Sequence, residues 1–582
     1  MLAQIPRIDV LGGWDVAEDG SWQLPIRAQL SVSETEHMPR ASTWWFVLGP
    51  EQPKDGVRVF PDAEDGIRVT FRHQTLNSEP GLGVRWRPGN VCLARPLGGL
   101  ARQVWTDEPA DVVPRVIWNA ERLLQWVDAA ASDELCTPGE PNELPSYAGQ
   151  QSLHTIGFAE MPGDLHWWDH QDKVWGFVAL AAIPGAEGTW VVNAFLDEAG
   201  RLLRRATWTA MVPAGKRDVE GIWVRLPSIP VIPPWRIPAT WDELRRTLAS
   251  LGMDLEELLA AAGARSRARP QPRDPRILFL GFPFAERIGE KPERMHWLVT
   301  GPLKFARRDE GRNGFRPIER SRRVWDRQFA RQRKELTWLR TANWAPDQIR
   351  RRGAAEDRVR CARVLVLGGG SLGGALAEVL VRQGVTDLAI MDPDQLEAGN
   401  LSRHVLTLRD LGRNKALALA NRLNECAPDA RVEALPTSFP PVPGSAADLA
   451  FREYDVIIDC TASDTVLDAM AEADWRSEKL FVSLSMTWRA EGLLAFSASE
   501  ASFLAIDAKQ RFASMPVPDV DTTSHHVEAI GCWSQVFPAT PDDVQMWAAI
   551  GARFVRSAIL SPERRVRYWR RHENGSVEVR DA

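Results

Sequence analysis

Val364-Leu-Val-Leu-Gly-Gly-Gly-Ser-Leu-Gly-Gly374 reads as a short apolar strand running straight into a glycine-rich turn, with a helix following from Leu372 to about Arg382. A second strand, Asp387 to Met391, ends in Asp392-Pro-Asp394. Glycines at such a turn let backbone N–H groups approach a phosphate, and the helix N-terminus adds a favourable dipole. The turn alone is shared by dehydrogenases and many other nucleotide binders. Asn400-Leu-Ser-Arg403-His and Asp410-Leu-Gly412-Arg-Asn-Lys415 come next. An Arg and a Lys about a dozen residues apart, past a ribose-binding acid, suit a triphosphate better than a dinucleotide.

Roles follow from position. Gly368, Gly370 and Gly373 line the phosphate turn, and Asp392 at the end of its strand holds the ribose hydroxyls. Arg403 and Lys415 supply positive charge where pyrophosphate would leave. Asp464, or alternatively Asp459 at the end of the strand Asp455 to Asp459, would bind Mg2+. Each polar residue taken alone also reads as a surface charge; their order behind one glycine turn favours a site. Further strands are expected at 363–367, 387–391, 455–459 and 480–484 with helices between them, which predicts a mainly parallel sheet with right-handed crossovers.

The chain has 582 residues, enough for three to four domains with ample core. Apolar residues make up 44% and charged residues 25%, as in ordinary soluble proteins. A net charge of −6 argues against a nucleic-acid-binding chain as a whole. From Lys304 to Arg352 basic residues exceed acidic ones by about ten. That stretch reads first as a solvated helix face plus linker, with an anion-contacting face or nucleic acid as alternatives. Six cysteines, at 92, 136, 361, 426, 460 and 532, include no C-x-x-C pair, so neither a disulfide framework nor a structural zinc site is expected. No signal-peptide pattern opens the chain and no apolar run reaches membrane-spanning length, which points to the cytoplasm and away from the membrane. The 25 tryptophans against three tyrosines are unusual, and the sequence offers no reason for them.

Composition divides the chain at about 1–148, 149–335 and 336–582. The first block reads as strands Trp44 to Leu48, Val57 to Phe60 and Ile67 to Arg72, then a helix from Val113 to about Ala131 with Ile117, Leu123, Leu124, Val127 and Ala130 on one stripe. A Pro- and Gly-rich break ends it. The second block has β-like runs Val174 to Ala182, Gly188 to Leu196 and Leu202 to Met211, a proline-rich connector, and a helix from Trp241 to Ala262. It shows no catalytic constellation, and His154, His166, His170 and His296 lack a ligand spacing.

The run from Gly368 to Lys415 resembles the ThiF/MoeB and ubiquitin-activating-enzyme superfamily: a glycine turn, Asp-x-Asp, Asn-Leu-x-Arg, and a Lys after an Asp-x-Gly step. The resemblance implies ATP with Mg2+, and adenylation of the C-terminal carboxylate of a glycine-ending protein. Site roles then fall on Asp392, Asp394, Asn400, Arg403 and Lys415. Three departures stand out. The Gln usual after that Arg is His404, the Cys-Thr-Asp turn is Cys460-Thr-Ala-Ser-Asp464, and the zinc-binding cysteine pairs are missing. Family members usually dimerise and share an arginine, for which Arg350, Arg351 and Arg352 are candidates. Cys532, in His525-His-Val-Glu-Ala-Ile-Gly-Cys532, lies in a stretch that reads as an exposed turn, where a thiolate could capture an acyl-adenylate as a thioester; a structural cysteine is the alternative. Cys361, Cys426 and Cys460 read as inert.

In the first block, Phe71-Arg-His73-Gln-Thr-Leu-Asn77 and Trp86-Arg-Pro-Gly-Asn-Val-Cys92-Leu resemble the Phe-x-His-Pro-Asn turn and cysteine nucleophile of ubiquitin-conjugating enzymes. This implies Cys92 as a thioester-forming residue and Asn77 as the oxyanion donor, although His73 and Asn77 are separated by three residues instead of one; an ordinary turn residue at Asn77 and a buried thiol at Cys92 are the alternatives. Together the blocks resemble the fused activating/conjugating enzymes of bacterial CBASS antiphage operons. The implied architecture is multidomain α/β: an α+β conjugating-like domain, a mixed linker domain and a Rossmann-like ThiF adenylation domain. The implied partners are a substrate ending in glycine (a cGAS/DncV-like nucleotidyltransferase or a ubiquitin-like modifier), an amine-bearing target and a second copy of the chain. Adenylation of a sulfur carrier for cofactor biosynthesis, a dehydrogenase and a non-catalytic scaffold are the rival readings.

Overall fold

In a computed structural model the chain forms two compact units, residues 1–206 with 217–343 and residues 207–216 with 344–582. The structure describes residues 1–51, 56–93, 108–147, 154–206, 208–209, 212, 216–269, 275–306, 318–516 and 538–581, with the backbone of 527–528 and 534–535.

The first unit opens with an antiparallel sheet of β1 (Ile8–Val10), β2 (Asp15–Val16), β3 (Trp22–Gln29), β4 (Ala41–Leu48) and β5 (Val57–Pro61), followed by helix α1 (Val112–Ala131). β1 and β2 both pair with β3, and the order continues β4, β5. Side chains alternate along β4 as a pleated strand requires. Trp44, Phe46 and Leu48 pack on Val116, Leu123 and Val127 of α1, while Trp45 and Val47 turn to Phe60 and Trp86. Residues 67–72, expected as a strand, are a loop. Their carbonyls are taken elsewhere: the Asn77 amide donates to Ile67 and Val69, and the Trp235 N–H to Thr70.

The same unit continues with β6 (Thr155–Phe158), α2 (Asp164–Asp169), β7 (Trp175–Ala182), β8 (Thr189–Leu196), β9 (Leu202–Arg205), β10 (Val219–Arg225), α3 (Trp241–Ser250), α4 (Leu255–Ala268), β11 (Ile277–Phe284), β12 (Arg294–Gly301), α5 (Glu319–Phe329) and β13 (Thr337–Asn343). The strand order is β6-β13-β12-β11-β10-β7-β8-β9, and β6 also pairs with β8, so the sheet closes on itself. Trp168, Trp223, Trp297, Phe195 and Phe279 form the core of one face, and α3 and α4 cover the other. This aromatic filling accounts for part of the tryptophan excess. Two expectations change here. The helix expected from Trp241 to Ala262 breaks at Gly252, whose φ is +80°, and restarts where the Asp254 carboxylate accepts the N–H groups of Glu256 and Glu257. Leu336 does not begin the last block, because β13 pairs with β12 and β6.

The second unit contains α6 (Pro346–Ile349), α7 (Asp357–Arg360), β14 (Val364–Leu367), α8 (Ser371–Gln383), β15 (Asp387–Met391), α9 (Lys415–Asn424), β16 (Arg431–Leu435), α10 (Ala446–Ala450), β17 (Val456–Asp459), α11 (Asp464–Glu472), β18 (Lys479–Met486), β19 (Gly492–Glu500) and α12 (Ala505–Ser514). It ends with β20 (Val527–Glu528), β21 (Ser534–Gln535), α13 (Pro541–Leu560), β22 (Arg565–Arg571) and β23 (Val577–Asp581). Strands β16-β15-β14-β17-β18 run parallel, then β19, β22 and β23 add antiparallel. β15 and β17 lie on opposite sides of β14, so the chain order reverses there. Parallel α/β sheets bind ligands at the carboxyl ends of strands at such a point. The run expected as a strand to Met211 stops at Arg205. Thr209 belongs to this second unit instead, its N–H donating to Pro428 and its hydroxyl to Asn424.

Candidate functional site

At the switch point a cavity of about 290 Å³ is lined by Gly370, Ser371 and Leu372 at the start of α8, by Asn400, Arg403, His404 and Lys415, and by Cys460, Thr461 and Ala462 after β17. The turn that forms one wall requires glycine twice. Gly368 has φ +88°, and a Cβ on Gly373 would collide with the Gly368 carbonyl.

The peptide of Gly369 is gripped from both sides. Its N–H donates to Asp392 Oδ2 at 2.7 Å, and its carbonyl lies 2.8 Å from His404 Nε2. The Leu406 N–H can only donate, so His404 Nδ1 at 3.1 Å is the acceptor and Nε2 carries the proton. The imidazole is therefore neutral and does what an amide N–H would do. A histidine can thus serve at the position where the resemblance implies a glutamine. Burial holds its pKa below the ordinary 6.5.

Asp392 is buried, which raises its pKa, and it gives its other oxygen to the Asp394 N–H. Both oxygens thus serve backbone donors, and Asp392 acts on the cavity by holding the turn. Asp394 ion-pairs with Lys415 at 3.0 Å, and Asn414 ties the carbonyls of Asp392 and Asp394 to the start of α9. Asn400 closes a capping box with Glu397. The structure thus brings Gly370, Asn400, Arg403 and Lys415 to one cavity, with Gly368, Gly373, Asp392 and Asp394 as its frame.

The residues expected to hold Mg2+ do not fit that task. Asp464 has an 82% exposed side chain at the start of α11 and faces Lys509, outside the cavity lining. Asp459 is fully buried and accepts from Ser483 and from Thr461. Among the described residues no cluster of three His, Cys, Asp or Glu could hold a metal ion. Arg350, a candidate shared arginine, is spent on a bidentate pair with Asp429 at 2.6 Å. Cys460 lines the cavity, and burial pushes its thiol well above the usual range. Cys532 lies outside the described residues.

A second cleft, of about 430 Å³, surrounds Cys92 in the first unit. Cys92 is exposed, and its N–H donates to the His73 carbonyl at 2.7 Å. Thr75, Asn90, Trp118 and Asn119 line the cleft with Glu108 and Glu143. Asn77 does not. It is 2% exposed and both amide hydrogens are spent on the Ile67 and Val69 carbonyls, so the expected oxyanion role is corrected to a structural one. Sequence reasoning missed Asn90, whose side-chain oxygen accepts the Val59 N–H, and Asn119, which donates to Glu108. Asn90 stands two residues before Cys92 and could have been found there. Asn119 and Glu143 carry no such signal.

A family model described as the Cap2 central linker domain matches residues 133–344, and one described as the ThiF family matches residues 344–497. Over 573 residues, 98% of this chain and 95% of the relative, the chain is 42% identical to the ATP-dependent ubiquitin transferase-like protein Cap2 of Enterobacter hormaechei subsp. hoffmannii (strain UCI 50). The chain belongs to the Cap2 family of ATP-dependent ubiquitin transferase-like enzymes. A sulfur carrier protein adenylyltransferase of Thermus thermophilus is 36% identical over 107 residues, 18% of this chain and 38% of that protein. The crystal structure of E. coli MccB with ATP covers 39% of this chain and 65% of its own at 15% identity and a TM-score of 0.27, too distant to argue from. Cap2 membership spans all three blocks, so the resemblance seen at the two ends of the sequence extends through the middle.

Proposed function

We propose that this Cap2-family enzyme activates a C-terminal glycine carboxylate with ATP, passes it as a thioester through Cys532 to Cys92, and joins it to an amine on a target protein. The observation that carries this reading is Arg403 and Lys415 on one cavity with the start of α8. ATP, the co-substrate, supplies the adenylyl group and makes pyrophosphate the leaving group. The N–H groups that open α8 receive phosphate oxygens, and Arg403 and Lys415 balance the charge that gathers as pyrophosphate departs. Mg2+ would enter with the phosphates, since neither Asp464 nor Asp459 offers it a cage. A cysteine thiol then displaces AMP, a second thiol displaces the first, and an amine nitrogen displaces the second thiol to leave an amide.

The Cys92 cleft supports the last two steps. Likeness to sulfur-carrier adenylyltransferases covers only a fifth of the chain and leaves that cleft without a role. The same proposal includes a role in bacterial antiphage defence and a homodimer. Exposed Leu408 and Leu417, close to the cavity in sequence, give a second copy apolar surface to cover, and sedimentation of the full chain decides between dimer and monomer.

The test is exchange of labelled pyrophosphate into ATP with a glycine-ending protein substrate. Lys415→Ala should slow exchange by about a hundredfold or more, while Cys92→Ala and Cys532→Ala should leave exchange intact and abolish amide product. Unchanged exchange in Lys415→Ala overturns the assignment.

A further inference from the structure

Glu143 stands in the Cys92 cleft although neither the sheet nor α1 carries it. It lies on the connector after α1, and the closed barrel holds that connector. The Gly139 N–H donates to the Ile288 carbonyl at 2.8 Å, the Ile288 N–H to Glu140 at 2.9 Å, and the Asn142 N–H to Glu286 at 2.8 Å. A second tie runs beside it. The Trp235 N–H donates to the Thr70 carbonyl, and the Arg72 guanidinium lies 3.5 Å from the Trp235 ring centre while donating to Asn142.

His73 lies between these ties. Glu143 Oε1 accepts the His73 N–H at 2.7 Å, and the His73 carbonyl accepts the Cys92 N–H at 2.7 Å. A single residue therefore separates the connector's carboxylate from the backbone of the nucleophile. His73 has φ +55°, the left-handed region, which residues with a Cβ rarely adopt and which persists only when its surroundings hold it. Its N–H and C=O are held by Glu143 and Cys92. The left-handed turn is what lets the two point at different partners.

We propose that Glu143 is a positioning residue for Cys92. The middle part of the chain sets, through it, the orientation of the cysteine and the rate at which its acyl group passes to an amine. The inference rests on Cys92 being the thioester-forming cysteine. In the step concerned, the amine nitrogen bonds to the thioester carbonyl carbon, the C–S bond breaks, and the proton lost by nitrogen returns to the thiolate or to water. In this role Glu143 acts through the His73 N–H and not on the reacting atoms. Its function needs an acceptor for the His73 N–H, and a glutamine oxygen serves as well as a carboxylate.

The full chain is compared as wild type, Glu143→Gln and Glu143→Ala. Cys92 is charged directly with a short glycine-ending peptide thioester of mercaptoethanesulfonate, then chased with free lysine, so neither ATP nor a natural partner is needed. Discharge should be about tenfold slower in Glu143→Ala and within about threefold of wild type in Glu143→Gln. Alkylation of Cys92 by iodoacetamide, read by mass spectrometry, should separate Ala from Gln in the same way, because both variants lack the charge and only Ala lacks the acceptor. An unchanged thermal melt excludes misfolding. Discharge in Glu143→Ala at the wild-type rate overturns the proposal, as does a Gln variant as slow as Ala, which would assign the effect to charge. A wild-type Cys92 that accepts no acyl group refutes the thioester reading instead, and the alkylation rates still decide whether Glu143 positions the cysteine.

Discussion

At the scale of single residues, the cavity at the switch point depends on a histidine that never needs its charge. His404 donates from Nε2 to the Gly369 carbonyl and accepts the Leu406 N–H at Nδ1, so protonation would break the second contact. His404→Gln keeps a donor for Gly369 and should retain pyrophosphate exchange within about threefold, whereas His404→Leu strands a buried carbonyl at a cost of about 1–3 kcal/mol and should lower exchange about tenfold or more. The pH dependence has a definite sign. The folded pKa lies below the ordinary 6.5, so His404 contributes stability that is complete above about pH 6.5 and is lost as pH falls below it. Exchange measured from pH 7.5 down to 5.5 should fall sooner in wild type than in His404→Gln. Most of this cavity was legible because glycine, Arg and Lys spacing is local. The division of labour was not, because the sequence cannot say that Asp392 turns both oxygens to the backbone while Arg403 and Lys415 line the cavity.

Legibility among the elements follows the same boundary between local and distant causes. Strands β14, β15 and β17 and helix α1 are close to where periodicity and glycine placement put them, since their apolar patterns are contained within each segment. Residues 67–72 have a strand-like pattern too, with Ile67 and Phe71 buried. What prevents a strand is the pair of Asn77 bonds and the Trp235 bond, and Trp235 is more than 160 residues away. That loop is also where the conjugating-like motif departs from its pattern, so Asn77 builds the turn from behind instead of facing the thiol. The break between α3 and α4 was readable after all. Gly252 and Asp254 are a helix stop and a helix start two residues apart, and the apolar stripe running through them concealed both.

At the scale of the whole molecule the least legible feature is the closed barrel, since β6 meets β13 across more than 180 residues of chain and no segment announces that pairing. Its joint is Glu160. The carboxylate accepts from the indoles of Trp168 on α2 and Trp297 on β12 and from Arg204 on β9, and its peptide is bracketed by Asn343 at the end of β13. Arg204 also binds Asp164, and Arg294 donates to the Glu160 carbonyl. Burial dominates these partners and pushes the Glu160 pKa from 4.5 up to about 7. The folded barrel therefore holds a proton more tightly than the unfolded chain does. Stability from this group is full below pH 4.5, falls as pH rises toward 7, and is flat beyond. Glu160→Gln cannot titrate, so subtracting its unfolding free energy from that of wild type cancels the other titrating groups. The difference should change by about 3 kcal/mol between pH 4.5 and 8, with wild type losing relative to the variant. Urea unfolding followed by tryptophan fluorescence reads the transition, with Trp168 and Trp297 at the carboxylate among the 25 tryptophans of the chain. A pH-independent difference would mean that Arg204 and the two indoles keep Glu160 ionised in the fold, and the joint would then be an ion pair at every pH.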